Sequence, residues 1–237
     1  MNDRFDLIQI INAELTSAVG TKDTSILDGT REKSKLRTPT VREVGRRILE
    51  ELKSEGIREY DELLELCNKL LSTKAWPHRT IAFQWSFSYK KQIRKEHFRT
   101  FERWVEEYVT SWASCDDFCT HTMGYFLAQF PEFVPRIWTW TKSSNPYTRR
   151  ASAVALIYGL RRRRFLEPAF DIAEILMDDE HIHVQKGYGW MLKEASKFHE
   201  QQVFDFVLKH KNRMPRVSLR YAIEKMSAGM REEVMAS

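Results

Sequence analysis

The chain has 237 residues, with 38 Lys and Arg against 33 Asp and Glu, for a net charge of +5. Apolar residues make up 42%, and seven Trp, eight Tyr and fourteen Phe exclude a disordered chain. Nine Gly and seven Pro are too few for a β-sandwich or barrel with its frequent turns, and the small cationic excess admits a polyanionic partner without requiring one.

The N-terminus opens on Asn2, Asp3, Arg4 and Asp6 with no long apolar run, so no signal peptide is expected. From Thr40 to Lys53, Val41, Val44, Ile48 and Leu52 recur at helical spacing, and Thr38-Pro39 just before them reads as an N-cap followed by a first-turn proline. Asp61 to Leu71 is a second amphipathic helix, set off by Gly56. After a break at Trp76-Pro77, Thr80 to Tyr89 (TIAFQWSFSY) has a strand-like composition, but its neighbours are so helical that a buried helix is expected there. Phe101 to Val109, Thr122 to Phe130, Ala151 to Leu160 and Phe170 to Met177 continue the series. Breaks fall at Pro131, Ser143-Ser144-Asn145-Pro146, Asp178-Asp179-Glu180 and Pro215. The most apolar stretch, Ala151 to Leu160, runs into Arg161–Arg164 and is too short to span a bilayer, so no membrane partner is expected. Cys67, Cys115 and Cys119 form an odd set, which argues against a disulfide framework and for a reducing cytoplasm.

Short helices with short connections call for a search for internal repeats. Helix starts align weakly at Arg42, Arg79, Asp116, Arg150, Lys186 and Arg220, in steps of 37, 37, 34, 36 and 34 residues. A period of this size holding two helices is close to the short end of HEAT-type repeats, and the fold expected is an all-α helical-repeat solenoid in one domain, residues 1–237. In such a stack, equivalent positions form a column along a concave surface. Five of the six are cationic, a pattern suited to a polyphosphate backbone, whereas a single basic helix face would be read as merely solvated. Asp116 is the exception. A carboxylate in a phosphate-binding column weakens grip, which points to chemistry. Trp112 precedes it by four residues and shares its face if the stretch is helical. Two readings stay open: a core Trp beside an N-cap Asp, or an aromatic surface beside a carboxylate, both facing a groove.

Other motifs carry less. His181-Ile-His183 lacks the further ligands of a metal site, so no metal or cofactor is expected. Cys115 and Cys119 read as core, and Gly187-Tyr-Gly189 lacks the strand and third glycine of a nucleotide loop. Arg161–Arg164 either complements a helix C-terminus or touches phosphates. Trp76, Trp85, Trp104, Trp138 and Trp140 read as core or edge aromatics.

The segments WASCDDFCTHTMGYFL, NPYTRRASAV and HVQKGYGWMLKEA, in this order and spacing, resemble the AlkD-type DNA alkylation repair glycosylases. LRTPTVREV is similar to that family's Thr-Pro start of an early DNA-facing helix, and the likeness runs from Leu36 to the C-terminus. The resemblance implies a HEAT-like fold that excises cationic N3- and N7-alkylated purines from duplex DNA; a monomer without a cofactor is expected. It implies that Trp112 and Trp190 are groove tryptophans, that Asp116 is the catalytic aspartate, and that Arg150 contacts the DNA backbone near the lesion. Gly124 also falls in register. Where the family often has a second Trp, Ala113 follows Trp112; Asp117 beside Asp116 and Arg149 beside Arg150 leave a one-residue alternative at each place. Thr38, Arg42, Arg79, Arg149, Arg161, Lys186 and Arg220 are the remaining expected DNA contacts. Beside the glycosylase stand two other readings, a non-catalytic DNA-structure binder and a scaffold for an acidic peptide. Asp116 beside Trp112 favours the enzyme over the binder, and the cationic column disfavours the scaffold.

Overall fold

The computed structural model describes residues 6–21 and 36–236, and among them all regular secondary structure is helical. Asn2, Asp3 and Arg4, on which part of the signal-peptide reading rests, lie outside the described residues. The chain divides into two compact units, Met1–Arg94 and Lys95–Ser237.

The first unit holds α1 (Leu7–Ala18), α2 (Thr38–Ser54), α3 (Tyr60–Ser72) and α4 (Trp76–Ser88). Val41, Val44 and Ile48 are buried along α2, as their spacing requires. The cap differs from expectation by one position. Arg37 is the N-cap, without a side-chain bond, and Thr38 is the first helical residue. Pro39 then sits in the first turn, where its missing N–H leaves no helical bond unmade. The strand-like segment lies within α4, which packs on both α2 and α3. Its aromatic and branched residues are used on more than one face: Ile81, Phe83 and Trp85 are all buried, and the Trp85 indole donates to the Gly45 carbonyl at 2.7 Å. His78 ties α4 to α1, with Nε2 2.7 Å from Asn12 Oδ1 and Nδ1 2.8 Å from Thr73 Oγ1.

The second unit begins with α5 (Phe98–Tyr108) and α6 (Trp112–Phe118), then a π-turn at Cys119–Met123 that leads into α7 (Gly124–Gln129). A 3₁₀ helix, Pro131–Lys142, follows; Pro135 inside it cannot donate to an α-helical ladder. Next come α8 (Pro146–Val154), α9 (Ile157–Leu160), α10 (Leu166–Leu176), α11 (Ile182–Ser196), α12 (Glu200–His210), α13 (Arg216–Ala222) and α14 (Ala228–Met235). Ala151 to Leu160, expected as one helix, is divided at Ala155 and Leu156. Phe101 anchors an aromatic core, meeting Phe118 and Phe126 edge-on at 5.9 and 5.8 Å between ring centroids. Helices α6, α8, α11 and α13 lie side by side in chain order, each touching the next, while α10 and α12 pack against α11. These four helices carry the last four of the six aligned positions, Asp116, Arg150, Lys186 and Arg220, and form one layer. The layer closes tightly where α11 meets α13, since a Cβ at Gly189 would lie 2.8 Å from Tyr221 Cβ. No helix among the described residues is long and apolar enough to cross a membrane.

Candidate functional site

The site is lined by residues from all four helices of this layer. Helix α6 starts abruptly because Ser111 and Ser114 cap each other: Ser111 Oγ accepts from the Ser114 amide at 3.2 Å, and Ser114 Oγ from the Ser111 amide at 3.0 Å. With Ser111 as the cap, the reading of Asp116 as an N-cap falls. Trp112 is the first residue of the helix and is 49% exposed, so it is not a core residue either. Asp116 lies one turn on. The π-turn then opens directly behind it, where Thr120 Oγ1 donates to the Asp116 carbonyl at 2.7 Å.

Helix α8 is fixed by Asn145, whose Oδ1 accepts from the Tyr147 amide at 2.9 Å, with Pro146 in the first turn. Its consecutive arginines point apart, as neighbours about 100° apart around a helix must. Arg150 is 5% exposed. Its Nε and Nη2 both reach Asp116 Oδ1, at 2.9 and 2.8 Å, and its Nη1 donates to the His183 carbonyl at 2.6 Å. To make these contacts the side chain crosses α11 at Gly187, where a Cβ would come within 3.0 Å of Arg150 Cγ. Gly187 thus has a packing reason of its own. Burial pushes the Asp116 carboxyl above its usual range; Arg150 opposes this, and the neighbouring Asp117 adds to it.

Helix α11 completes the site. His181 caps it, accepting from the His183 amide. Trp190 follows two turns on, with the Arg150 guanidinium carbon 5.9 Å from its ring centroid. Trp190 Nε1 donates to Glu194 Oε1 at 3.1 Å. Trp112, Asp116, Arg150 and Trp190 line an open groove of about 470 Å³. His183, Lys186, Lys193 and Tyr221 complete its wall. One carboxylate, two indoles and two lysines therefore face the same space, a set suited to a cationic or electron-poor centre carried on a phosphate backbone.

The structure brings together five of the expected site residues: Trp112, Asp116, Arg150, Lys186 and Trp190. Three others in this unit do not line the groove. Arg149 is engaged by Asp179, Nε to Oδ2 at 2.5 Å, and by the Ser143 carbonyl at 2.9 Å. Arg161 binds Glu194 Oε2 at 2.9 Å. Arg220 is exposed on α13, and its neighbour Tyr221 reaches the groove instead. Thr38, Arg42 and Arg79 belong to the first unit, where Arg42 and Arg79 sit on the packed pair α2 and α4 and Gln84 Nε2 holds the Arg42 carbonyl at 3.1 Å. His183, Lys193 and Tyr221 were missed. The signal for two of them was present, since His183, Lys186, Trp190 and Lys193 recur at helical spacing on one face of α11. The His181-Ile-His183 spacing, weighed only as a metal site, does not reveal this groove role of His183. Among the described residues, no three His, Cys, Asp or Glu side chains gather into a metal-binding group.

Against known proteins, the model of the family described as DNA alkylation repair enzyme matches residues 28–226. Among solved structures, the chain is similar to a predicted DNA alkylation repair enzyme from Enterococcus faecalis, with 16% identity and a TM-score of 0.70 over 81% of this chain and 87% of that one. At that identity the likeness speaks for the fold. No curated protein matches the chain.

Proposed function

The chain belongs to the DNA alkylation repair enzyme family, and on that premise we propose that it is a metal-independent DNA glycosylase releasing N3- and N7-alkylated purines from duplex DNA. The observation that carries this reading is the single-oxygen contact between Arg150 and Asp116. Both guanidinium nitrogens address Oδ1, and Oδ2 has no hydrogen-bond partner among the described residues. The arginine keeps the carboxylate charged and aimed while one oxygen stays available to the groove.

An alkylated purine is already cationic, so it leaves without being protonated. As the bond from C1′ to the base nitrogen breaks, the electron pair goes to the base and positive charge develops on the sugar. Asp116 stabilises that charge and orients a water, whose oxygen bonds to C1′ and whose proton is released. The faces of Trp112 and Trp190 attract the electron-poor nucleotide by cation–π contact. Lys186 and Lys193 meet the phosphates on either side. The open groove supports action on a base that is not buried in a closed pocket, and the protein acts as a monomer on duplex DNA.

The deciding assay incubates the pure protein with methylated duplex DNA and analyses the released bases. Release of 7-methylguanine or 3-methyladenine, with uracil and hypoxanthine left in place, is the expected result. The anionic leaving group of uracil needs an acid; His183 lies in the groove wall, but burial and the neighbouring Arg150 and Lys186 charges lower its pKa, and Asp116 is needed as a charged carboxylate, so neither is set up to protonate it. Tight binding of methylated duplex without release would instead make the protein a DNA-structure binder, and efficient uracil excision would contradict the mechanism.

A further inference from the structure

We propose that Glu194 is a positioning residue that fixes the plane of the Trp190 indole, and that Arg161 and Lys197 hold Glu194 in the place and charge state this requires. Glu194 is 3% exposed and lies one helical turn after Trp190 on α11. Its two oxygens are divided between two tasks. Oε1 accepts the indole N–H at 3.1 Å, while Oε2 receives Arg161 Nε at 2.9 Å and Lys197 Nζ at 2.8 Å. The cations come from different places, Arg161 from the turn after α9 and Lys197 from the C-terminal end of α11, so the carboxylate is fixed from two directions.

A buried carboxylate is an expensive group to keep, and it persists where its lone pairs are satisfied. Burial works against its charge, yet the hydrogen bonds from Arg161 and Lys197, with that of the indole, bring its pKa down to about 2. It is therefore ionised throughout the working range of pH and remains an acceptor for the indole. Trp190 is then held at its N–H edge by Glu194 and approached by Arg150, which itself holds Asp116. Glu194 thus bonds the groove indole, whose ring faces, at 5.9 Å, the arginine that holds the carboxylate of the proposed chemistry. An indole free to swing would have to be ordered each time a nucleotide arrived, which slows the step that needs its face. This also gives Arg161 a function inside the protein: it acts on the groove through Glu194.

This inference rests on the glycosylase reading for what Trp190 does, but the clamp has a readout of its own. A double-mutant cycle combines Glu194→Gln with Trp190→Phe, which keeps an aromatic ring and removes the N–H. Under single-turnover conditions, Glu194→Gln alone should slow release of 7-methylguanine by about tenfold, the scale of a hydrogen bond to a charged group, with duplex affinity changed less than about twofold. In the Trp190→Phe background the same substitution should add less than about twofold. In ¹⁵N-labelled protein, the Trp190 Nε1–H resonance, identified by its loss in Trp190→Phe, should shift in Glu194→Gln. Arg161→Gln, which leaves the carboxylate in place, should shift it in the same direction by less and so serves if Glu194→Gln does not fold. A shifted resonance in a protein whose wild type releases no base would sustain the clamp and sink the glycosylase reading. Full additivity in the cycle, or an unmoved resonance in either variant, would overturn the clamp.

Discussion

Two arginine–aspartate pairs start one residue apart on α8 and end in opposite conditions. Arg149 grips Asp179 through both oxygens, Nε to Oδ2 at 2.5 Å and Nη2 to Oδ1 at 3.2 Å, and the His181 amide adds a further bond to Oδ1 at 2.9 Å. Its remaining nitrogen collects the Ser143 and Ser144 carbonyls at 2.9 and 3.3 Å. Every acceptor there is answered, and the pair joins two loops. Arg150 places two nitrogens on one oxygen of Asp116 and leaves the other without a partner among the described residues. The first pair is a closed structural knot. The second is an aimed carboxylate with capacity to spare, and the unequal use of two chemically identical partners separates framework from site more sharply than burial does.

The largest loss is expected in the open pair, at Asp116. Asp116→Asn keeps the shape but loses the charge, and release of 7-methylguanine should fall by ~100-fold or more while duplex affinity is unchanged or tighter. Gel-based excision and fluorescence anisotropy measure the two quantities, and full activity would move the role to Asp117. Next in size, Trp112→Ala and Trp190→Ala should each slow release by about two- to thirty-fold, the range of a cation–π contact of roughly 0.5–2 kcal/mol. Asp179→Asn should do the opposite of Asp116→Asn. Denaturant unfolding should show a loss of about 1–3 kcal/mol, and release per folded molecule should be unaltered. An Asp179→Asn protein of normal stability that no longer releases base would place Asp179 in the site beside Asp116.

The smallest effect concerns pH. Because burial raises the Asp116 pKa in the folded protein, activity that needs its charge is present above that raised value and is lost as pH falls through it. The acid limb of the single-turnover profile should therefore lie above the ordinary aspartate range. Asp117→Asn removes a negative neighbour and should move the limb towards lower pH. A limb unmoved by that change would mean that another group controls the profile.

Much of this was legible in the chain. The period that aligned Asp116, Arg150 and Lys186 also sets the ion pairs, since Arg150 and Asp116 lie 34 positions apart and Arg161 and Glu194 lie 33 apart, each one repeat away. Four of the five tryptophans read as core or edge are buried (Trp76, Trp85, Trp104 and Trp140), and Trp138 is half-buried. What escaped were matters of phase. Helix α13 is short and starts beside Pro215, so an alignment of helix starts put Arg220 where Tyr221 belongs. The two-way split of Ala151 to Leu160 and the 3₁₀ course of Pro131–Lys142 depend on packing that periodicity does not encode. Glu194 was invisible for a different reason: a glutamate near the end of an amphipathic helix looks solvated until the partners from the adjoining turn are seen around it.

The π-turn after Asp116 bears on how this protein tolerates insertions and deletions. One surplus residue in a helix turns everything beyond it by about 100° relative to a regular spiral. The half before Cys119–Met123 presents Asp116 to Arg150, and the half after it seats Gly124 so closely that a Cβ would lie 2.6 Å from Tyr158 Cβ. Those two demands do not share a common phase on an unbroken α-helix, and the surplus residue reconciles them. A one-codon deletion within this turn would restore an ordinary helix and force one of the two contacts out of step, whereas an exposed loop would absorb the same deletion by shortening.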